Sequence, residues 1–230
     1  MYKCKTKHYE ILDNKNEITK DIINKCNYAY NKNKRFFGKD CSFFRIRLAN
    51  SEDEFKRLAG KFYNPWVKGV GKNGNFVVIR NIELYDKCYK KFKGTEKFEI
   101  LLTHEINHIY AEQLNVYKGP YWFTEGLAMY VAGQVPGKTY KKKVNLNKEN
   151  IKKLLFYRLI LKKINDRMYV PQYYGVRFLI SEFGKDRLVR LINSYHKKMN
   201  KKQYENRFKE IYGISYNRFI NKFAKKERYN

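Results

Sequence analysis

The strongest constraint in this sequence is a pair of histidines with a glutamate between them, placed in a stretch of helical periodicity. Residues 103–108 read T-H-E-I-N-H, and apolar side chains recur every three or four positions over residues 98–114. This spacing predicts a helix. Because residues four apart on a helix share one face, His104 and His108 can bind one metal ion, with Glu105 beside it as a base for a bound water.

A structural role for the two histidines is the competing interpretation. Short motifs arise by chance, and a lone histidine on an apolar helix is usually a structural residue. Two imidazoles and a carboxylate buried together without a metal, however, would each need a hydrogen-bond partner from elsewhere in the fold. The apolar surroundings of His104, Glu105 and His108 make such burial expected, so the sequence favours a metal site.

The third protein ligand that a catalytic zinc site requires is predicted to be Glu125. It follows His108 by 17 residues and belongs to a second apolar, helical stretch over residues 121–132, after which Gly133 follows. The K-G-P sequence at residues 118–120 favours a turn, so the second helix can return antiparallel to the first. Because its neighbours are apolar, Glu125 is a poor candidate for a solvated surface carboxylate.

The N-terminal pattern mixes helices and strands. Helical spacing over residues 17–35, ended by Gly38, comes before two short runs of strand character at residues 43–48 and 75–81. Between the two runs, a serine and a glutamate at positions 51 and 54 form a capping box, which predicts a short helix up to about residue 58. Together with the helices that follow, this predicts an α+β fold with a small mixed sheet near the N-terminus.

The rest of the chain is predicted to be helical. The glycines at positions 69, 71 and 74 are interpreted as the turn before the second strand. Further helices are predicted at residues 148–164, 171–183, 186–199, 201–212 and 215–226. We therefore predict a single domain, residues 1–230, with three parts: an α/β lobe (1–95), a pair of zinc-binding helices (96–135) and a helical lobe (136–230).

Two segments resemble the peptidase MA-like gluzincins, which are zinc peptidases. The family pattern is H-E-x-x-H followed by a Trp-containing E-G-L-A helix, and here T-H-E-I-N-H is followed by P-Y-W-F-T-E-G-L-A-M-Y-V-A-G. The resemblance continues at residues 169–184 and 208–223, and the strand-helix-strand order over residues 43–81 agrees with it. It covers most of the chain from about residue 40 and is most specific at residues 104–133.

The resemblance implies a zincin-like fold and hydrolysis of peptide bonds. It implies one zinc ion per chain held by His104, His108 and Glu125, with Glu105 as the general base. In related gluzincins a tyrosine from a later helix donates a hydrogen bond to the developing oxyanion, which makes Tyr169 and Tyr173 the candidates here.

The chain departs from the family pattern at two positions. Asn107 stands where the family usually has a small or apolar residue. Met129 stands where the family often has an acidic or polar residue, so the sequence does not identify which residue hydrogen-bonds to the metal ligands.

The net charge of +28, from 50 Lys and Arg against 22 Asp and Glu, suggests a second function. Such a charge is typical of proteins that bind nucleic acid or an anionic membrane surface, and the basic helix predicted at residues 148–163 is its best support. A core-packing helix with a solvated lysine face explains that helix more simply. Residues 96–135 carry 2 basic and 5 acidic residues, so the predicted metal-binding stretch is locally acidic.

The expected activity is therefore cleavage of a peptide or protein substrate. The alternative is a basic nucleic-acid- or membrane-surface-binding protein in which the zincin site is inactive or structural. The sequence has no apolar run long enough to span a membrane and no apolar segment after its basic N-terminus, so we expect a cytoplasmic protein. Its four cysteines are widely spaced and are expected to be reduced thiols.

Overall fold

Five strands form one mixed sheet in the N-terminal part of the chain. The computed structural model describes residues 1–15, 17–65, 67–92, 97–116, 121–136 and 169–226. The strands are β1 (Tyr2–Lys5), β2 (Tyr9–Asp13), β3 (Phe44–Ala49), β4 (Gly69–Lys72) and β5 (Phe76–Arg80). Their order is β1-β2-β3-β5-β4, in which β2, β3 and β5 run parallel and β1 and β4 pair antiparallel at the two edges. The predicted small mixed sheet is confirmed.

Helices make up most of the remaining described residues. They are α1 (Lys20–Phe37), α2 (Glu52–Ala59), α3 (Ile82–Phe92), α4 (Phe98–Gln113), α5 (Tyr121–Ala132), α6 (Tyr169–Phe183), α7 (Lys185–Asn193), α8 (Lys201–Tyr212) and α9 (Tyr216–Lys226), with a 3-10 turn at Gly60–Phe62. The mixed α+β class is therefore confirmed. The helix predicted at residues 148–164 lies outside the described residues.

The contacts group the chain into two compact units. The first unit comprises Met1–Gln113 and Val131–Gln134, and the second comprises Leu114–Tyr130 and Val135–Asn230. The first unit holds the whole sheet with α1 to α4, and the second holds most of α5 together with α6 to α9.

Several helix ends follow directly from the sequence. Thr19 caps α1, since its hydroxyl oxygen accepts a hydrogen bond from the Ile22 N–H, and Gly38 ends this helix with a φ of 73°. Ser51 caps α2 in the same way, and Gly213 ends α8 with a φ of 71°. Ser51 and Gly38 mark helix ends as predicted, because these caps depend on local residues alone. α1 begins at Lys20, later than the predicted residue 17, because Thr19 caps it.

The core of the first unit lies between the sheet, α1 and α4. Ile46 of β3 and Val78 of β5 are fully buried, as are Ala29 of α1 and Ile106 of α4. α4 contacts α1 along its length and also contacts β4 and β5. Because it is covered on two sides, α4 has most of its residues buried, polar ones included.

The glycines at positions 69 and 71 do not form the predicted turn. They lie in β4, and only Gly74 belongs to the turn between β4 and β5, with a φ of 62°. The sequence G-V-G-K has no β-branched alternation, so the strand is invisible to periodicity. β1, β2 and α3 were likewise not predicted.

The second unit has an aromatic core. Phe208 of α8 contacts the rings of Phe219 and Tyr216 of α9, with ring centroids 5.5 and 5.1 Å apart. Phe178 of α6 contacts Phe219 as well, at 5.9 Å. α7 ends at Asn193, earlier than predicted, because a turn at residues 196–199 follows it.

None of the described helices combines the length and the apolar character that a membrane crossing requires.

A hydrogen-bonded cluster closes the carboxyl ends of the three parallel strands. Asp13 accepts hydrogen bonds from the Asn50 side chain and from the Glu17 N–H, both at 2.6 Å. The Asn81 amide donates in turn to the Asn50 side-chain oxygen at 2.6 Å, and Asn81 Oδ1 accepts from the Leu84 N–H. The cluster therefore satisfies its own polar groups and joins β2, β3 and β5 to the start of α3.

This cluster predicts acid-sensitive stability. Burial alone raises the pKa of Asp13, but the hydrogen bonds from Asn50 and from backbone N–H groups outweigh it and bring the pKa below its ordinary value. The stabilisation is present above the pKa of an unfolded aspartate, about 4, and is lost as pH falls through the lower pKa of the folded state. We expect Asp13→Asn to lower the free energy of unfolding by about 1–3 kcal/mol at pH 7 and by less at pH 3.

Denaturant titrations at both pH values measure this effect. Asp21→Asn is the matched control, since Asp21 is exposed and pairs with Lys25 on the same helix, α1, and should change stability by less than about 0.5 kcal/mol. Equal losses for Asp13→Asn at pH 3 and pH 7 would contradict the assignment.

Candidate functional site

The two histidines of the motif face each other on α4. The Nε2 atoms of His104 and His108 lie 3.0 Å apart, and their rings are in edge contact at 4.8 Å between centroids. At this distance the two atoms either share a proton or face a common cation. Two imidazole nitrogens bound to one tetrahedral zinc, each at about 2.0–2.1 Å from it, stand roughly 3.3 Å apart. The observed spacing is therefore close to that of two histidines that bind one zinc ion.

Glu105 is buried beside the pair and is held by the edge strand of the sheet. Its side chain is 6% exposed, and its Oε2 accepts a hydrogen bond of 2.7 Å from the Gly71 N–H in β4. The carboxylate orientation is therefore fixed by a backbone group.

β4 approaches α4 so closely that only glycine fits at two of its positions. A Cβ atom at Gly69 would lie 2.8 Å from Cγ of Glu105. A Cβ atom at Gly71 would lie 2.6 Å from the Glu105 carbonyl oxygen and 2.8 Å from Cβ of His108. Contacts this short force a shift of the strand or the helix, so the two glycines are a requirement of the site and not of a turn.

His104 has a second partner that the motif does not contain. Its Nδ1 lies 2.5 Å from Oε1 of Gln134, the second residue after α5 ends. No periodicity or motif identifies Gln134, since it follows the Gly133 helix end in an irregular segment.

Asn107, which departs from the family pattern, is paired with α1. Its side-chain amide donates to Oδ1 of Asn33 at 2.8 Å, and the Asn33 amide donates to the carbonyl oxygens of Thr103 and Ala29 at 3.0 Å each. All three of Asn33, Thr103 and Asn107 are fully buried. A polar residue is tolerated at position 107 because α1 supplies its partner.

Glu125 lies near the middle of α5 and is half-buried. The next residue, Gly126, packs against α6 with no space for a side chain: its Cβ would lie 2.3 Å from the backbone oxygen of Gln172. The glycine of the E-G-L-A sequence is therefore required by close helix packing, which fixes the backbone that carries Glu125.

The three predicted ligands lie close together. His104, His108 and Glu125 each offer one ligand atom, and these atoms all lie within 4.8 Å of one another. All three side chains are half-buried, and no other such group of His, Cys, Asp or Glu occurs among the described residues. Two imidazole nitrogens with one carboxylate oxygen are a donor set of catalytic zinc sites, where the fourth position takes water or substrate, so the residues fit zinc.

The two candidate tyrosines lie on α6. Tyr173 is buried, with its ring centroid 5.2 Å from that of Tyr174 and 6.2 Å from that of Tyr130. Burial raises the pKa of Tyr173, so its hydroxyl stays protonated and can donate a hydrogen bond. Tyr169 begins α6, and its side chain lies outside the described residues. The oxyanion role of either tyrosine stays a prediction.

Comparison with known proteins adds no family assignment: no family profile matches this chain, and no curated protein matches it.

The pairing of α1 with α4 can be tested by a double-mutant cycle. Asn33→Leu and Asn107→Leu should each lower the free energy of unfolding by about 1–3 kcal/mol, because each leaves buried polar groups without a partner. The double variant should lose less free energy of unfolding than the sum of the two single losses, by about 1 kcal/mol or more. Two apolar side chains together leave fewer buried polar groups without a partner than the two single variants do.

Urea denaturation of the four proteins measures the coupling. Asn33→Leu combined with Asn14→Leu is the control, because the Asn14 side chain donates to Glu54 at the surface, and these two changes should be additive. Additivity of the Asn33 and Asn107 losses within about 0.5 kcal/mol would contradict a direct pairing.

Proposed function

We propose that this protein is a zinc-dependent metallopeptidase of the gluzincin type, which hydrolyses peptide bonds with Glu105 as general base. The observation that carries the proposal is the approach of the His104, His108 and Glu125 ligand atoms to within 4.8 Å, with Glu105 on the same helix as the histidines. The proposal includes a zincin-like fold for the domain, supported by the mixed sheet and by a helix carrying H-E-x-x-H that packs against its edge strand.

The metal supplies one part of the chemistry: a zinc ion bound by these ligands would acidify a water ligand and polarise the scissile carbonyl. Glu105 acts as the general base and then as the general acid. Its carboxylate takes the proton from the attacking water and later delivers it to the leaving amine. The Gly71 N–H holds one oxygen of the Glu105 carboxylate. The other oxygen can then accept the proton of the water, and the carboxylate keeps its orientation while it does so.

The edge strand supports a peptide as the substrate. β4 has β5 on one side and is the last strand in the order of the described sheet. An extended peptide can pair with the backbone of such an edge strand, and β4 is the strand that contacts Glu105. A peptide bound there would lie beside the general base.

A tyrosine hydroxyl completes the proposal. We assign oxyanion stabilisation to Tyr173 or Tyr169 on α6, because a fixed neutral donor aimed at developing charge is worth several kcal/mol of barrier. The raised pKa of Tyr173, caused by its burial, keeps this hydroxyl a donor at neutral pH.

The net charge of +28 supports a second function, binding of nucleic acid or an anionic membrane surface. The helix that best supports it, at residues 148–163, lies outside the described residues. Such binding would weaken steeply with salt and would not depend on Glu105, which separates it from the peptidase proposal.

Metal content tests the site. Purified protein should carry about one zinc per chain, and His104→Ala and Glu125→Ala should each lose most of it, because each removes a ligand. Zinc should also raise the melting temperature of the wild type and not of His104→Ala, since a ligand that binds only the folded state stabilises it.

Glu112→Gln is the matched control for metal content, since Glu112 lies on the same helix outside the ligand group and should retain full zinc. A wild-type protein that binds no zinc, or a Glu125→Ala variant with unchanged affinity, would overturn the ligand assignment.

Glu105→Gln tests the chemistry separately. The glutamine carbonyl can still accept from the Gly71 N–H, so the fold and the zinc content should be retained while the base is lost. Cleavage of a broad peptide library should fall by about 10²–10⁴-fold. If Glu105→Gln cleaved like the wild type while Glu112→Gln served as the active control, Glu105 would not be the base. Salt-sensitive nucleic-acid binding equal in the two variants, with no cleavage by the wild type, would favour the second function.

A further inference from the structure

Gln134 lies outside the H-E-x-x-H and E-G-L-A segments, and the structure places its side chain against the proposed metal ligand His104. Its Oε1 lies 2.5 Å from Nδ1 of His104 and its side chain is half-buried. Met129, at the position where an acidic or polar partner is often found, has no hydrogen-bonding oxygen or nitrogen. Gln134, five positions after Met129, therefore contacts His104 instead.

The chemistry of this contact selects one tautomer of His104. A neutral imidazole has one nitrogen that donates and one that accepts, and an amide oxygen can only accept. Opposite Gln134 Oε1, Nδ1 must therefore carry the proton, which leaves the lone pair on Nε2. Nε2 is also the atom that lies 3.0 Å from Nε2 of His108.

Gln134 is held in place by α1. The helix α5 ends at Ala132, and Gly133 turns the chain with a φ of 82°. Lys32 of α1 donates to the carbonyl oxygen of Ala132 at 3.0 Å, which anchors the end of α5 next to the turn. The amide of Gln134 is thus positioned from a fixed backbone.

We infer that Gln134 is a positioning residue that holds His104 as the Nδ1-protonated tautomer and so strengthens divalent-metal binding at the His104 and His108 pair. The inference rests on the metal site of the proposed function. It does not depend on peptidase activity, since a structural metal at this site would need the same support. Gln134 acts through His104 and is not itself a ligand.

Zinc affinity of the whole chain, measured by competition with a chromophoric chelator, tests the inference. Gln134→Ala and Gln134→Met should bind zinc about 10–100-fold more weakly than the wild type, because the ring loses its acceptor. Gln134→Glu keeps an acceptor at the same reach and should restore binding to within a few-fold. Gln113→Ala is the matched control, since the Gln113 side chain bonds to the backbone of Ser42 and Gly74 and should leave zinc affinity unchanged.

A second readout does not need the metal. In the metal-free protein, imidazole ¹⁵N shifts should show His104 protonated on Nδ1 in the wild type and in Gln134→Glu, and a tautomer mixture in Gln134→Met. Unchanged affinity in both Gln134→Ala and Gln134→Met, or an unchanged tautomer, would overturn the inference. If the wild type bound no zinc at all, the metal site would fall, while the tautomer measurement would still decide the role of Gln134.

Discussion

The close approach of β4 to α4 is the contact on which the proposed site depends. Gly69 and Gly71 bring the strand backbone onto the helix at a distance that no Cβ atom allows, and the Gly71 N–H then reaches the Glu105 carboxylate. A buried carboxylate is costly unless hydrogen bonds replace the water it has lost. The strand supplies such a bond from its own backbone, and that backbone is held in register by β5.

Other polar side chains of α4 also form hydrogen bonds or close polar contacts. Thr103 donates to the carbonyl oxygen of Glu99, Asn107 donates to Asn33, and His104 contacts Gln134. Thr103 is therefore bonded within α4, whereas the partners of Asn107 and His104 lie on α1 and just after α5. These contacts limit rotation and translation of the helix, because any movement would break several hydrogen bonds at once.

Local signals explain why some features could be predicted from the sequence. The end of α1 depends on Gly38 and the start of α2 on Ser51, and the spacing of His104 and His108 on one helix face depends only on helix geometry. Their neighbours along the chain determine them. The contact of Gln134 with His104, the pairing of Asn33 with Asn107 and the close approach of Gly69 and Gly71 to α4 each join residues 30 or more positions apart, so no window of the sequence contains the reason for them. The two glycines were misinterpreted as a turn for this reason.

Three residues beside the proposed site weaken local stability. Glycine in a strand costs about 0.5–1 kcal/mol relative to alanine, and β4 has two in four residues. Asn107 leaves its Oδ1 without a partner among the described residues, although an apolar side chain would avoid that cost. A chain shaped by stability alone would place none of these next to a buried glutamate and two facing histidines. Because departures from local stability often mark functional positions, the two glycines and Asn107 agree with the function proposed for Glu105.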